Sequence, residues 1–299
     1  MRALVCPGQG SQKPGFLTPW LDIDGVREHL QRLSDAAGID LIHYGTEADE
    51  ETIKDTAIAQ PLIVAAGIVT GRLALEQLAG EELILAGHSV GEITAAALAG
   101  VLSEEDAMRF IRVRANGMAE AAAASPTGMA AVLGGKEDEV RAAIAEANLV
   151  AANSNGGGQI VAAGALEDIE KFAVNPPARA RVIPLKVAGA FHTAAMAPAQ
   201  APLAEFAATL SPANPQHTLL TNKDGSAVES GQVFVDTLVS QVTNPVRWDL
   251  CMETLLAKEV TGIIEVAPAG TLIGLAKRGM RGMPGTAINL PEDLQALAA

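Results

Sequence analysis

Residues 83–102 constrain the fold of this chain more than any other stretch. Residues 83–86 are apolar and predict a buried strand, the sequence GHSVG follows at 87–91, and an alanine-rich segment from Ile93 predicts a helix. Glycines flanking Ser89 remove Cβ atoms where strand and helix crowd together, so Ser89 is expected in a tight, strained turn. Its hydroxyl would lie near the helix N-terminus, where unpaired N–H groups favour negative charge. This context predicts a serine nucleophile.

The composition permits one large domain with room for a smaller insert. Of 299 residues, 49% are hydrophobic and 3% aromatic, so we expect a sizeable core of small side chains rather than disorder. Cys6 and Cys251 lie far apart in apolar surroundings without metal-ligand spacing, which favours reduced core thiols. The net charge of −14 argues against a nucleic-acid binder, and an acidic partner would need a local basic patch.

The N-terminal residues predict a strand rather than a targeting segment. The apolar run ends at Pro7, which is too early for a signal peptide. No run of about 18 apolar residues is free of charge, so no membrane span is predicted. We therefore expect a cytoplasmic protein that does not enter a membrane.

Alternating strands and helices predict an α/β fold with a mostly parallel sheet covered on both faces. Residues 126–187 follow a β-α-β-β-α-β order, which is that of a ferredoxin-like unit. We expect this unit to be inserted as a small subdomain into a large one formed by residues 1–125 and 188–299. After the insert, the pattern predicts helices over 231–241, 245–258 and 270–278, with short strands at 217–221 and 263–266.

A serine nucleophile needs a general base, and His192 is the best placed of the five histidines. It ends an apolar stretch at a loop-to-helix junction, where strand ends meet ligands in α/β sheets. Glu92 is poorly placed to orient it, so a Ser–His dyad steered by a backbone carbonyl or an amide is predicted. The other histidines are interpreted as surface, packing or structural residues, or have no evident partner: His29, His43, His88 and His217.

Five motifs in order and spacing resemble the malonyl-CoA:acyl-carrier-protein transacylase family, which includes the acyltransferase domains of fatty-acid and polyketide synthases. They are GQGSQ at 8–12, GHSVGE at 87–92, Arg114 with Met118, AFH at 190–192 and QVTNPVRW at 241–248. The similarity covers nearly the whole chain. It implies an α/β-hydrolase-like large subdomain with a ferredoxin-like insert, in agreement with the pattern above.

The resemblance implies a ping-pong acyl transfer between two thiols. Ser89 would take the acyl group from coenzyme A as an ester and pass it to the phosphopantetheine thiol of acyl carrier protein. His192 would accept the serine proton and protonate the departing thiolate. The backbone N–H groups of Gln9 and Val90 would form the oxyanion hole. Gln241 corresponds to a family residue near the histidine. No metal or prosthetic group is implied, since coenzyme A is a substrate.

The resemblance also assigns a substrate clamp. Arg114 would grip the free carboxylate of malonyl through two parallel hydrogen bonds. From the residues alone Arg109 and Arg112 qualify equally, and only the family's Arg-x-x-x-Met pattern singles out Arg114. Ala115 stands where the family often has Gly. Phe191 accompanies malonyl rather than methylmalonyl in the family, and Val90 favours the same choice.

Other family positions carry two interpretations each. Asn153 and Asn155 resemble a stretch that lines the cleft, although turn formation explains them too. The backbone of Asn244 is a candidate for orienting the imidazole. Candidates for docking the carrier protein are basic residues that a solvated helix end or loop explains equally well: Lys186, Lys277, Arg278 and Arg281.

The sequence thus predicts a monomeric malonyl transferase acting in fatty-acid or polyketide synthesis. A serine thioesterase on the same turn is an alternative, disfavoured by the carboxylate-binding arginine and the missing acid. A non-catalytic docking subunit is the other, disfavoured because Ser89, His192 and Gln9 are all present.

Overall fold

A computed structural model describes residues 1–187 and 189–298, and within them it contains ten β-strands and eleven α-helices. The strands are β1 Arg2–Cys6, β2 Leu83–Gly87, β3 Thr127–Gly134, β4 Val150–Gly156, β5 Gln159–Ala165, β6 Ala180–Pro184, β7 Thr218–Leu219, β8 Val246–Arg247, β9 Ile263–Glu265 and β10 Gly285–Ala287. The helices are α1 Val26–Ala37, α2 Leu41–Thr46, α3 Thr56–Gln77, α4 Gly91–Leu98, α5 Glu104–Ala123, α6 Glu137–Glu146, α7 Leu166–Val174, α8 Ala197–Ala207, α9 Gly231–Gln241, α10 Trp248–Ala257 and α11 Thr271–Gly279.

The first sheet is parallel throughout and confirms the predicted α/β class. Its strand order is β10-β9-β1-β2-β7. β1 and β2 are apolar and buried along almost their full length because helices cover both faces of the sheet. The carboxyl end of β2, an inner strand of the sheet, leads through His88 into Ser89, so the serine lies at the carboxyl-terminal end of the sheet, where α/β proteins bind ligands.

The second sheet has the order β6-β3-β5-β4-β8. Its first four strands are antiparallel and, with α6 and α7, form the predicted ferredoxin-like unit. The fifth, β8, comes from outside residues 126–187 and pairs parallel to β4. The predicted boundary at residue 188 lies outside the described residues, and the division into 1–125 with 188–299 and 126–187 stays a prediction.

The helix predicted over 245–258 is wrong at its start. Val246 pairs with Asn153, and the Arg247 N–H donates to the Asn222 carbonyl over 2.8 Å. These contacts hold residues 246–247 in extended form, so α10 begins only at Trp248. Tertiary pairing overrides the local preference here.

Helix α3 is apolar on all sides because it is a core helix. By length and composition it would suffice to cross a membrane, but 78% of its most apolar window is buried inside the protein. Gly67 and Gly71 let α4 approach closely, since a Cβ on Gly67 would lie 2.6 Å from the Thr94 Cγ2. Gln60 is one of its few polar residues, and it lies in the candidate active site.

Candidate active site

Ser89 occupies the strained turn that the sequence predicts. Its φ is 54°, in the left-handed region that non-glycine residues rarely adopt. A Cβ on Gly91 would lie 2.2 Å from the Cys6 carbonyl oxygen, and one on Gly87 would lie 2.0 Å from the Gly91 backbone. Both glycines are therefore required for β2 and α4 to meet at this angle.

Ser89 and His192 form a hydrogen-bonded pair. The Ser89 Oγ lies 2.7 Å from the His192 Nε2, and the His192 Nδ1 lies 3.0 Å from the Gln241 carbonyl oxygen. A carbonyl only accepts, so Nδ1 carries the proton and Nε2 is free to accept from the serine hydroxyl. The main orienting partner is thus the Gln241 carbonyl, and a weaker hydrogen bond to the Asn244 backbone also acts to raise the pKa of His192.

His192 is neutral at physiological pH. Its side chain is buried, and burial together with the positive charge of Arg114 lowers its pKa to about 3. An unprotonated imidazole against the serine hydroxyl is the arrangement that a general base requires. Glu92 does not contact the ring; its carboxylate accepts the Asn222 N–H over 2.7 Å.

Arg114 is a buried cation that faces the nucleophile. It is 1% exposed, and its Nη1 donates to the Gln60 Oε1 over 2.7 Å. Its Nη2 lies 3.3 Å from the Gln241 Oε1 and 3.4 Å from the Ser89 Oγ. Burial lowers its pKa to about 10, so it remains charged at neutral pH. Among the described residues no carboxylate forms an ion pair with it, which leaves its charge available to an anion.

The structure separates the three arginines of α5 that the sequence alone left equivalent. Arg109 is exposed and pairs with Asp106 one turn earlier on the same helix. Arg112 donates to the Ala57 carbonyl over 2.8 Å. Only Arg114, on the buried face, reaches the serine.

A cavity of about 90 Å³ lies over Ser89 and continues into a wider one of about 410 Å³. The two share the walls formed by Gln9, His88 and Asn153. The space is therefore narrow at the nucleophile and widens along α11 towards Arg278. Predicted site residues line the narrow part: Gln9, Val90, Met118, Asn153, Phe191 and His192.

The predicted oxyanion donors are the backbone N–H groups of Gln9 and Val90. Within residues 1–187 and 189–298, neither the Gln9 nor the Val90 backbone N–H donates to a protein acceptor. Val90 directly precedes α4, where the helix dipole favours negative charge. Both residues line the cavity over Ser89.

The two predicted asparagines, Asn153 and Asn155, differ in whether the side-chain oxygen already has a hydrogen-bond partner. The Asn153 Oδ1 is buried and has no hydrogen-bond partner among the described residues. The Asn155 Oδ1 lies 2.8 Å from the His88 Nε2, and the His88 ring packs edge-on against Trp248. His88 is thus held in place as expected of a structural residue, although it also lines the cavity.

The proposed docking residues include members of two neighbouring grooves, which share Gln9 and Leu185 as walls. Lys277 and Arg278 are exposed in the last turn of α11, and Arg278 donates to Gln159 over 2.8 Å at the wide cavity. Lys186 is exposed in a neighbouring groove that also contains Lys13 and Lys54. Arg281 is also exposed, just after α11.

Sequence reasoning missed Gln60 and Asn222. Gln60 accepts from Arg114 and donates towards Gln9, so it links the clamp to the first loop. A buried amide in an otherwise apolar helix signals a polar partner. Asn222 lies just after β7 and accepts the Ser89 N–H over 2.7 Å. Its position at the carboxyl end of a parallel strand was the available signal.

Both cysteines are buried and free, which confirms the predicted core thiols. Burial raises the pKa of each thiol far above its usual range. In the described part of the chain, no group of three or more His, Cys, Asp or Glu residues is arranged to hold a metal ion.

The parallel sheet with its serine turn and the second, ferredoxin-like sheet define a two-subdomain acyltransferase. The chain belongs to the acyl transferase domain family, whose pattern matches residues 3–291. The malonyl CoA-acyl carrier protein transacylase of Mycobacterium tuberculosis (strain ATCC 25618 / H37Rv) is 52% identical over 300 residues, covering 100% of this chain and 99% of the relative.

Two solved structures have the same fold. The crystal structure of MCAT from Mycobacterium tuberculosis superposes with a TM-score of 0.97 at 52% identity and covers 100% of both chains. A malonyl-transacylase in complex with its type II PKS acyl-carrier protein gives a TM-score of 0.92 at 29% identity, covering 99% of this chain and 98% of that one.

Proposed function

We propose that this protein transfers a malonyl group from malonyl-CoA to the phosphopantetheine thiol of an acyl carrier protein through an ester on Ser89. The observation that carries the proposal is the buried Arg114, which faces Ser89 without a carboxylate partner among the described residues. An enzyme that handled only uncharged acyl groups would have no use for such a cation beside its nucleophile. Family membership and the names of the relatives support the same reaction.

In the first half-reaction, Ser89 attacks the thioester carbonyl. Its hydroxyl proton passes to the His192 Nε2, 2.7 Å away, while Oγ bonds to the carbonyl carbon. The tetrahedral intermediate then expels the coenzyme A thiolate, which takes the proton from Nε2. The backbone N–H groups of Gln9 and Val90 would stabilise the oxyanion in between.

In the second half-reaction, the carrier-protein thiol repeats these steps in reverse. It gives its proton to the His192 Nε2 and attacks the Ser89 ester, and the serine oxygen leaves with that proton. Because burial and Arg114 lower the pKa of His192, the imidazole is unprotonated at the start of both halves. One covalent site serving two thiols in turn gives ping-pong kinetics.

Arg114 selects the acyl group. A malonyl carboxylate in its reach would form charge-assisted, two-pronged hydrogen bonds in a site without water competition. Gln60 and Gln241 hold the guanidinium in place through their amide oxygens. Phe191 and Met118 are buried in the wall and leave little room for an α-methyl branch, which favours malonyl over methylmalonyl.

The second substrate of the proposed reaction is the acyl carrier protein, which must dock on the surface of this chain. Lys186, Lys277 and Arg278 are the candidate docking residues on a chain whose net charge is otherwise −14. The carrier protein belongs to fatty-acid or polyketide synthesis. The proposed enzyme is a cytoplasmic monomer with no nucleic-acid or membrane partner. It needs no prosthetic group, since both steps use only Ser89, His192 and backbone donors.

The test is intact-protein mass after brief exposure to malonyl-CoA, with acetyl-CoA in parallel. We expect a malonyl adduct on the wild type, none on Ser89→Ala, and much less on Arg114→Ala. The adduct should vanish when holo carrier protein is added and persist in buffer. Loss at the same rate in plain buffer would favour the thioesterase, and absence of any adduct would favour a docking subunit.

A further inference from the structure

Asn222 lies directly behind the nucleophile turn. It follows β7 and is 0% exposed, although it is a polar side chain. Its Oδ1 accepts the Ser89 N–H over 2.7 Å, and its Nδ2 donates to the Gly87 carbonyl over 2.7 Å. One amide therefore bonds the backbone on both sides of His88, at the point where β2 turns towards α4.

The Asn222 backbone is fixed as firmly as its side chain. Its N–H donates to the Glu92 Oε1 over 2.7 Å, and its carbonyl accepts the Arg247 N–H over 2.8 Å. Glu92 belongs to α4, the helix that starts at the turn, and is 0% exposed. Asn222 is thus tied to α4 and to β8 of the second sheet.

The same amide connects the two halves of the dyad. The Gln241 Nε2 lies 3.5 Å from the Asn222 Oδ1, and the Gln241 carbonyl orients His192. Asn222 therefore contacts the backbone of the nucleophile and the side chain of the residue that holds the base. A left-handed serine persists only where its surroundings hold it, and here Asn222 supplies two of the bonds that do so.

We propose that Asn222, anchored by Glu92, is a positioning residue that sets the Ser89 backbone so that Oγ faces His192. This inference rests on the proposed function in taking Ser89 as the nucleophile. Asn222 does not reach the substrate cavity walls around Ser89, so its effect is on the alignment of Oγ rather than on binding. Misplacing a reacting atom by about 1 Å can cost about 100-fold in rate.

The first variant is Asn222→Ala, measured by rapid quench and intact mass with malonyl-CoA. We expect the rate constant of Ser89 acylation to fall about 100-fold. The malonyl-CoA concentration giving half-maximal rate should change by less than about threefold, because Arg114 and Gln60 are untouched. A residue that only stabilised the fold would lower the amount of active protein and leave the rate constant of the folded fraction unchanged.

The second variant, Asn222→Asp, makes the test independent of folding losses in the first. A protonated carboxyl accepts the Ser89 N–H and donates to the Gly87 carbonyl, as the amide does; an ionised one repels that carbonyl. Acylation should approach the wild-type rate near pH 5 and fall as the pH rises, while the wild type stays flat. The charged or titratable groups around this position are Glu92, Cys251, Arg114 and His192.

The matched control is Asn214→Ala. The Asn214 Oδ1 also accepts a backbone N–H, that of Gly231 over 3.2 Å, at the start of α9 and away from Ser89. It should lower thermal stability but leave the acylation rate constant and its pH profile unchanged.

Three results separate the outcomes. The positioning role is wrong if folded Asn222→Ala acylates at the wild-type rate. It is also wrong if the acylation rate constant of Asn222→Asp does not change with pH, whatever its value. If the wild type itself forms no malonyl adduct, the proposed function fails instead. A slow Asn222→Ala with a pH-dependent Asn222→Asp supports both.

Discussion

The two sides of the dyad share an unusual backbone but are built in different ways. Ser89 has φ 54° and His192 has φ 60°. On the serine side, a strand, two glycines and a helix within one short stretch produce the turn. On the histidine side, the ring is oriented by Gln241, 49 positions later, and the loop before it by Thr127, whose hydroxyl accepts the Ala190 N–H over 3.0 Å. The serine turn is thus formed by residues that are neighbours in the sequence and is held from behind by Asn222, whereas the orientation of the histidine depends wholly on the assembled fold.

The largest expected effect breaks the serine side. Gly91→Ala places a Cβ 2.2 Å from the Cys6 carbonyl oxygen, a backbone clash that no rotamer relieves. We expect the free energy of unfolding to fall by more than about 3 kcal/mol, measured by urea titration. The control is Gly274→Ala in α11, where a Cβ meets nothing within 4 Å and helix propensity should raise stability by about 0.5–1 kcal/mol. Equal effects of the two substitutions would contradict the crowding argument.

Removing the base should leave the fold intact and slow the chemistry. His192→Ala is expected to lower the acylation rate constant by about 10³-fold. In the wild type the pKa of His192 is lowered to about 3 by burial and by Arg114, so acylation should not depend on pH between about 5 and 8. Stopped-flow acylation across this range checks both statements. A wild-type profile rising through about pH 6.5 would mean that the imidazole is hydrated in solution.

The buried carboxyl behind the serine should make stability depend on pH. Burial raises the pKa of Glu92 from 4.5 to about 8. Between these values the unfolded chain loses the proton and the folded protein keeps it, so the free energy of unfolding falls as pH rises, by a total on the order of 4 kcal/mol. Glu92→Gln keeps the acceptor for Asn222 and should remove this slope. Urea titrations from pH 5 to 8 measure this free energy for the wild type and for Glu92→Gln. If it fell equally with pH in both proteins, Glu92 would not be the source of the pH dependence.

The smallest expected effect is on the histidine side. Thr127→Val keeps the side-chain shape but removes the hydroxyl that accepts the Ala190 N–H. We expect a loss of about 1 kcal/mol in unfolding free energy and about a tenfold slower acylation, because the loop carrying His192 is less firmly placed. Thr237→Val is the control, since that hydroxyl bonds only a carbonyl within α9. If both variants acylated at the wild-type rate, the loop would not need Thr127.

This contrast explains what the sequence could predict. The Ser89 turn followed from local spacing, because the strand, the two glycines and the helix that form it are neighbours in the sequence. The orienting carbonyl of Gln241 and the backing amide of Asn222 could not be derived, since only the fold brings them to the dyad. Arg114 was distinguishable from its neighbours by family resemblance and not by helix pattern. The residues of β8 were predicted to be helical because their pairing partner lies in the second sheet.

The uniform apolarity of α3 has a consequence for synthesis of the chain. The helix, Thr56–Gln77, leaves the ribosome before α4 and α5, which pack against it in the finished protein. Until those two helices follow, the nascent chain carries an uncovered segment that resembles a membrane span. Slow translation between residues 78 and 123 would therefore prolong the time for which the apolar surface of α3 is exposed to solvent, before the active site has formed.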